Sequence, residues 1–306
     1  MEKNKKMRKK ISVFVILGII LLTIYTISFL TPLLWALITS VRFDLDFDLS
    51  PFFFNKGEKI YFQNYVDVFN TMKIPAKQMN KELGVLLTIG NVYIEEQLYN
   101  SLIYSLICTL MATFTPCICA YAVAKYKFKF GQLLYGIVIV TMVMPTIGNL
   151  AAQIQIAQAL GFYDTLLGVA IMKGHFLGSN FLIFYAAFKS LPNDYKDAAE
   201  IDGASQLQVL LNISLPLIST TISTIALLSF IGFWNDYSTA MIFLPSKPTV
   251  SYALYTYTRN SSDTMASGSV TRQVAACMLV TIPIFTVFML LRNKLMGNLT
   301  MGGLKG

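Results

Sequence analysis

The side chains able to do chemistry in this 306-residue chain are few, and they stand out against apolar surroundings. Lys173, His175 and Asn180 fall in one apolar stretch, Asn149, Gln153 and Gln155 at the end of another, and Trp234 and Asn235 at the end of a third. Amide and imidazole groups exchange hydrogen bonds with hydroxyls, and an indole face stacks on a flat apolar ring face, so these residues suit binding a hydroxyl-bearing ligand. A lysine at the centre of a membrane span costs about 2.5–3.5 kcal/mol on insertion scales, so it faces water, a carboxylate or a ligand. Lys173 can instead extend toward the headgroups beyond Asp164. His175 either meets a ligand hydroxyl or bridges two helices. Trp234 either stacks on a ligand or anchors a span end at the interface.

Catalytic constellations are absent from the sequence. No glycine is followed directly by lysine, which removes the G-K-[ST] element that cradles nucleotide phosphates. A lone histidine excludes a two-histidine metal helix, and no G-x-S-x-G elbow frames a serine nucleophile. Cys108, Cys117, Cys119 and Cys277 all lie in apolar runs and read as small buried residues, with Cys117-Ile118-Cys119 wrongly spaced for a zinc pair. We expect no metal and no cofactor bound by this chain.

The elements that must position these residues follow from charge. Charged residues make up 13% of the chain against 55% hydrophobic, where soluble domains carry about 25% charged. The charges are also clustered. No formal charge lies between Lys10 and Arg42, Glu96 and Lys125, Lys129 and Asp164, Gly203 and Asn235, or Gln273 and Leu291, and Lys173 alone interrupts Asp164 to Lys189. A spanning helix needs about 20 mostly apolar residues because hydrocarbon offers the backbone no partners. The expected fold is therefore an all-α integral membrane protein with six spans, at 11–39, 98–124, 131–151, 165–189, 217–241 and 272–291. The first run is too long for a signal peptide and lacks a small-residue cleavage site, so it reads as a retained span.

Basic residues orient the chain. A basic tail over 1–10, the link Lys125-Tyr126-Lys127-Phe128-Lys129, Lys189 with Lys196, and Arg292 with Lys294 all fall on one side, expected to be cytoplasmic. From Arg42 to Glu96 eight acidic residues face six basic ones, so 40–97 is expected outside as a small cap, with shorter external loops near 152–164 and at 242–271. The net charge of +8 thus reports topology, and nothing points to nucleic acid.

The loop at 190–216 carries the most specific signal. Leu191-Pro192-Asn193-Asp194 reads as a helix start with Asn193 or Asp194 as cap. Ala198, Ala199 and Ile201 then lie opposite Asp197 and Glu200, Gly203 suits a left-handed helix end, and an amphipathic piece from Ser205 to Ile213 leads to Leu215-Pro216.

These spacings resemble the loop of ATP-binding-cassette importer permeases: E-A-A, three residues, G, nine residues, I, one residue, L-P. Here the matching positions are Asp197-Ala198-Ala199, Gly203, Ile213, Leu215 and Pro216. Asp197 replaces the usual glutamate and reaches one methylene less far. Ile201-Asp202-Gly203-Ala204, Phe233-Trp234-Asn235-Asp236 and the glycine-rich tail Leu299–Gly306 are similar to the carbohydrate-uptake branch, in particular its maltose-type G subunit. The resemblance implies that 190–216 is a coupling helix seated in a groove on an ATPase, with Asp197, Ala198, Ala199, Asp202, Gly203, Ile213, Leu215 and Pro216 forming the contact. It implies a C-terminal tail, 292–306, that touches the ATPase through Gly302, Gly303 and Lys305. It further implies a second homologous permease, two ATPase subunits holding ATP and magnesium, an extracytoplasmic solute-binding protein, a sugar substrate and a bacterial inner membrane with both termini cytoplasmic. An importer for an amino acid, polyamine or phosphonate, or a membrane scaffold with an interfacial loop helix, remain the alternatives at this point.

Overall fold

The computed structural model describes residues 13–80, 85–126, 128–144, 148–259 and 269–296. The chain divides into two compact units, Met1–Val68 with Asn260–Leu279, and Phe69–Arg259 with Val280–Gly306.

In the first unit α1 (Val13–Ser40) is an apolar helix whose side chains are exposed from Phe14 to Leu34, as suits a helix surrounded by lipid or other subunits. Its hydroxyls turn back on the backbone: Thr23, Thr26 and Thr31 each donate to the carbonyl four residues earlier, at 2.8 Å. The carbonyl end is closed by Asn64, whose amide donates to Ser40 O at 3.0 Å and Arg42 O at 2.7 Å. Arg42 then organises the turn into α2 (Asp44–Leu49). Its guanidinium donates to both Glu58 oxygens at 2.5 and 2.9 Å, to Ser50 O at 2.7 Å and to Asp46 O at 3.0 Å, and lies over the Phe47 and Phe54 rings. Both side chains of the pair are fully buried, and a buried pair holds only when its remaining donors are also satisfied. Asp44 accepts from Ser269, Thr271 and Arg272 at the first turn of α15 (Val270–Met296), where a negative charge meets the positive end of the helix dipole.

The second unit follows α3 (Gln63–Thr71) with an antiparallel hairpin, β1 (Ile74–Asn80) and β2 (Val85–Val92), in which Ile74 pairs Val92 and Asn80 pairs Val85. Ile74 and Ala76 are buried while Pro75 and Lys77 point out, the alternation of a strand with one covered face. A bulge between Ala76 and Lys77 frees the Lys77 N–H, which donates to Pro245 O at 2.8 Å. The expectation of an all-α chain is corrected here: the region 40–97 holds a two-stranded sheet as well as helices, and the fold is mostly helical.

The axis of this unit is α4 (Ile94–Lys125), which buries Cys117, Ala120 and Tyr121 against Phe181, Phe184 and Phe188, and Tyr104 and Cys108 against Val169 and Ala170. Three helical stretches among the described residues are long and apolar enough to cross a bilayer: Phe14–Ser40, Ile94–Lys125 and Val270–Leu290. The other expected spans are not single helices. The run at 131–151 becomes α5 (Gly131–Val143) and α6 (Leu150–Ala159). That at 165–189 becomes α7 (Leu166–Lys173) and α8 (Ser179–Ser190), parted by Gly174 to Gly178. That at 217–241 becomes α12 (Ser219–Trp234) and α13 (Tyr237–Phe243), with α14 (Val250–Arg259) beyond. Glycine permits the second break, since Gly178 takes φ +139°. In the third, Asp236 caps the new helix.

Candidate functional site

The loop between α8 and α12 is built as two short arms around a glycine. The first arm is α9 (Asp194–Ile201). Asn193 contributes its main-chain carbonyl, which accepts from the Lys196 and Asp197 amides, but its side chain does not cap the helix. That side chain instead accepts from Lys125 Nζ at 3.1 Å. Gly203 ends the arm at φ +81°, a left-handed conformation that costs any residue with a Cβ about 1–2 kcal/mol. The second arm, α10 (Gln206–Val209), opens with a reciprocal capping box between Ser205 and Gln208. It widens at Leu210–Ser214 and passes into α11 (Leu215–Leu217), which begins with Pro216 at its first turn. A bend of 75° then leads into α12.

Ala199 and Val209 face inward, while Asp197, Ala198, Asp202 and Gly203 are exposed. Ile201 is 86% exposed and Leu207 63%, so the loop presents an apolar tip beside two carboxylates. Ile213 and Leu215 are half-buried and tie the second arm to the body.

The C-terminal end of α4 holds both arms. Lys125 Nζ donates to Leu191 O at 2.7 Å as well as to Asn193, and the Tyr126 hydroxyl donates to Gln206 Oε1. Burial pushes the Tyr126 phenol pKa up, which keeps it a neutral donor. Gln206 Nε2 donates to Glu200 Oε1 at 2.8 Å, closing one arm on the other, and Lys196 sits 4.6 Å over the Tyr126 ring. In the sequence Lys125 and Tyr126 read only as part of a basic link and Gln206 carries no mark, because nothing local connects the end of α4 to a residue 80 positions later.

A second feature lies part-way back along α4, at Ala112 and Pro116. A cavity of about 410 Å³ is lined by Ala112 and Pro116 of α4, by Lys173, His175 and Asn180 around the α7–α8 break, and by Gly232, Phe233 and Asp236. Non-helical backbone at membrane depth is tolerated where it lines such a cavity. Lys173 Nζ lies 3.6 Å from Asp236 Oδ2 and donates to Thr239 Oγ1 at 3.0 Å. Asp236 accepts in addition from Tyr104 at 3.1 Å and from the Thr239 hydroxyl at 2.6 Å, and its other oxygen accepts from the Thr239 amide. Asn180 donates to Ala112 O at 3.3 Å, and His175 is exposed. Of the alternatives for Lys173, the carboxylate is the one realised.

The other expected pathway residues do not join this cavity. Trp234 is buried and its indole donates to Val280 O at 3.2 Å, so it is a core residue. Its apolar bulk is better removed from solvent than presented to it. Asn235 turns back to Ile231 O at 2.9 Å. Asn149, Gln153 and Gln155 are exposed on and before α6, away from the lining. Asp236, in the sequence only the end of Phe233-Trp234-Asn235-Asp236, is the group that answers Lys173. A carboxylate closing a long charge-free run was the available signal. Gly302, Gly303 and Lys305 lie outside the described residues.

Comparison with known proteins agrees with this arrangement. Residues 97–299 match the family described as binding-protein-dependent transport system inner membrane component. The trehalose transport system permease protein SugB of Mycobacterium tuberculosis is 30% identical over 212 residues, 68% of this chain and 76% of its own. The trehalose/maltose transport system permease protein MalG of Thermococcus litoralis is 29% identical over 302 residues, 96% of this chain and 97% of its own. The fold is similar to a chain in the crystal structure of a bacterial ABC transporter involved in the import of the acidic polysaccharide alginate, with TM-score 0.72, 20% identity, and coverage of 92% and 96%. With its two-armed helical loop and cavity, the chain belongs to the family of inner membrane components of binding-protein-dependent transport systems.

Proposed function

We propose that this chain is one of two homologous but distinct permease subunits of an importer that takes up a sugar or oligosaccharide. A solute-binding protein on the outer side delivers the sugar, and two ATPase subunits, holding ATP and magnesium, supply the energy. The observation that carries this reading is the two-armed loop of α9 and α10, with an exposed Ile201–Leu207 tip beside Asp197 and Asp202. Small Ala198 allows close approach to a groove, Asp197 pairs with a basic groove residue, and the apolar tip buries on docking. The sugar class is supported by the relatives, which are named for trehalose, for trehalose and maltose, and for galactooligosaccharides. The cavity suits it chemically, with Lys173, His175, Asn180 and Asp236 as hydrogen-bonding groups beside the Phe176 and Phe233 rings.

In this reading six passages cross the inner membrane, three of them broken, with both termini cytoplasmic. Closure of the ATPase pair draws the loops of the two permeases together and opens the cavity outward. Hydrolysis and release return it inward, by shifting the balance between two packings. The link on this chain is α4, which holds the loop at Lys125 and Tyr126 and lines the cavity at Ala112 and Pro116.

The experiment is solute-stimulated ATPase activity of the reconstituted complex, comparing wild type with Asp197→Arg and Gly203→Pro. Assembled variants that lose stimulation and uptake support the proposal. Full stimulation by both variants in a docked complex overturns the loop as the coupling element, and a wild-type complex with neither solute stimulation nor uptake would be a scaffold that does not transport.

A further inference from the structure

A second cavity, of about 630 Å³, opens where α4 ends, α5 begins and α8 ends. Its polar lining includes Lys125, Tyr126, Lys129, Gln132, Tyr185 and Asn193, and among the described residues lining it none is acidic. Lys125 is held by two neutral acceptors, the Leu191 carbonyl and the Asn193 amide oxygen. It is therefore oriented by neutral groups, while Lys196 and Asp197 of the α9 arm act on its charge with opposite signs. Lys129 is exposed and makes no ion pair among the described residues. Lys189 adds a third positive charge nearby, 5.4 Å over the Tyr185 ring.

The position of this cavity matters as much as its charge. The charge-free run of α4 stops at Lys125, and Phe128 and Phe130 are exposed beside it. Lysines and tyrosines at a span end mark the headgroup level of a bilayer, and Tyr126, Tyr135 and Tyr185 gather with Lys125 and Lys129 here. Basic pockets between spanning helices at that depth match anionic lipid headgroups. The volume accommodates a phosphate with its glycerol, and Gln132, Tyr135 and Tyr185 offer hydroxyl and amide partners for the phosphate and glycerol oxygens.

We propose that this cavity binds the headgroup of an anionic phospholipid, with Lys125 and Lys129 on the phosphate. Through Lys125 and Asn193 the lipid braces the base of the α9 arm. The site rests on the geometry at the end of α4 and needs neither the importer reading nor the sugar.

The test is native mass spectrometry of the whole complex taken from nanodiscs of mixed phosphatidylglycerol and phosphatidylcholine. Each lysine at such a surface is worth roughly fivefold in affinity, so Lys129→Gln lowers bound phosphatidylglycerol about fivefold and Lys125→Gln/Lys129→Gln about 25-fold. Bound phosphatidylcholine stays the same in both. Lys129→Gln breaks no ion pair among the described residues, so its thermal stability in detergent equals that of wild type. Unchanged phosphatidylglycerol in Lys129→Gln overturns the proposal, as does equal retention of the two lipids by wild type. Displacement of phosphatidylglycerol by millimolar inorganic phosphate also overturns it, since the site would then serve a soluble anion.

Discussion

A charged side chain within an apolar stretch must recover its desolvation locally, and two sites in this chain do so differently. Lys173 and Asp236 are half-exposed to the cavity and share their bonds with Thr239 and Tyr104, so each remains available to a ligand. Lys173→Met leaves Asp236 without its cation, and uptake is expected to fall about tenfold, equivalent to about 1.4 kcal/mol. Lys173→Met/Asp236→Asn recovers part of that loss, and a double-mutant cycle on uptake rates measures the pair. Arg42 and Glu58 are instead sealed from water. Removing one partner strands the other, so Glu58→Gln costs about 3 kcal/mol in the first unit. The hydrogen bond from Arg42 holds the Glu58 carboxyl below its usual range, against a desolvation effect that pushes it up. Since the unfolded chain then binds the proton more tightly, the pair contributes fully above a pH of about 4.3 and is lost as pH falls through the lower folded value. Trp35, which donates to Pro51 O at 2.9 Å beside this cluster, reports it by fluorescence in a Trp234→Phe background. Wild type loosens in acid, whereas Glu58→Gln is loose already at neutral pH and nearly flat.

At the scale of elements the loop depends on its bend and on the hold exerted by α4. Gly203→Ala places a Cβ at φ +81° and costs about 1–2 kcal/mol, which appears as roughly tenfold weaker binding of the isolated ATPase subunit to the permease in nanodiscs. Tyr126→Phe removes the hydroxyl that reaches Gln206 but leaves the ring under Lys196. We expect ATPase binding within twofold of wild type and clearly reduced solute stimulation. Unaltered stimulation would show that α4 does not carry the signal between loop and cavity. The break between α7 and α8 follows the same logic: residues 174–178 leave the helix where His175 to Gly178 line a polar cavity.

For the whole molecule the question is how often the chain crosses the bilayer. Single cysteines placed in a cysteine-free background at exposed Lys56, Lys129 and Gln158 test it with a membrane-impermeant maleimide. Lys56→Cys and Gln158→Cys should label in intact cells, and Lys129→Cys only after permeabilisation. If Gln158→Cys shares the side of Lys129→Cys, the α5–α6 stretch enters and leaves by one face, and the count of six is wrong. The cysteine-free background replaces two buried thiols, Cys108 and Cys117, and two half-buried ones, Cys119 and Cys277.

What the amino-acid order determined by itself was set by constraints that act locally or along a line. The bilayer demands long charge-free runs, so α1, α4 and α15 were legible as spans to within a few residues. The helix–glycine–helix loop was legible because a left-handed turn at Gly203 and the starts of α9 and α10 depend on neighbours in sequence. Hydropathy could not see the breaks at 174–178 and 235–236, since an apolar run reads alike whether continuous or interrupted. The hairpin at 74–92 was hidden for another reason: its pairing exists only between two segments brought face to face. Trp234 and Asp236, two residues apart, were divided between core and cavity by the packing of Val280, Tyr104 and Lys173 around them. Those contacts join positions distant along the chain, and burial and pairing are properties of such contacts, which only the tertiary structure decided.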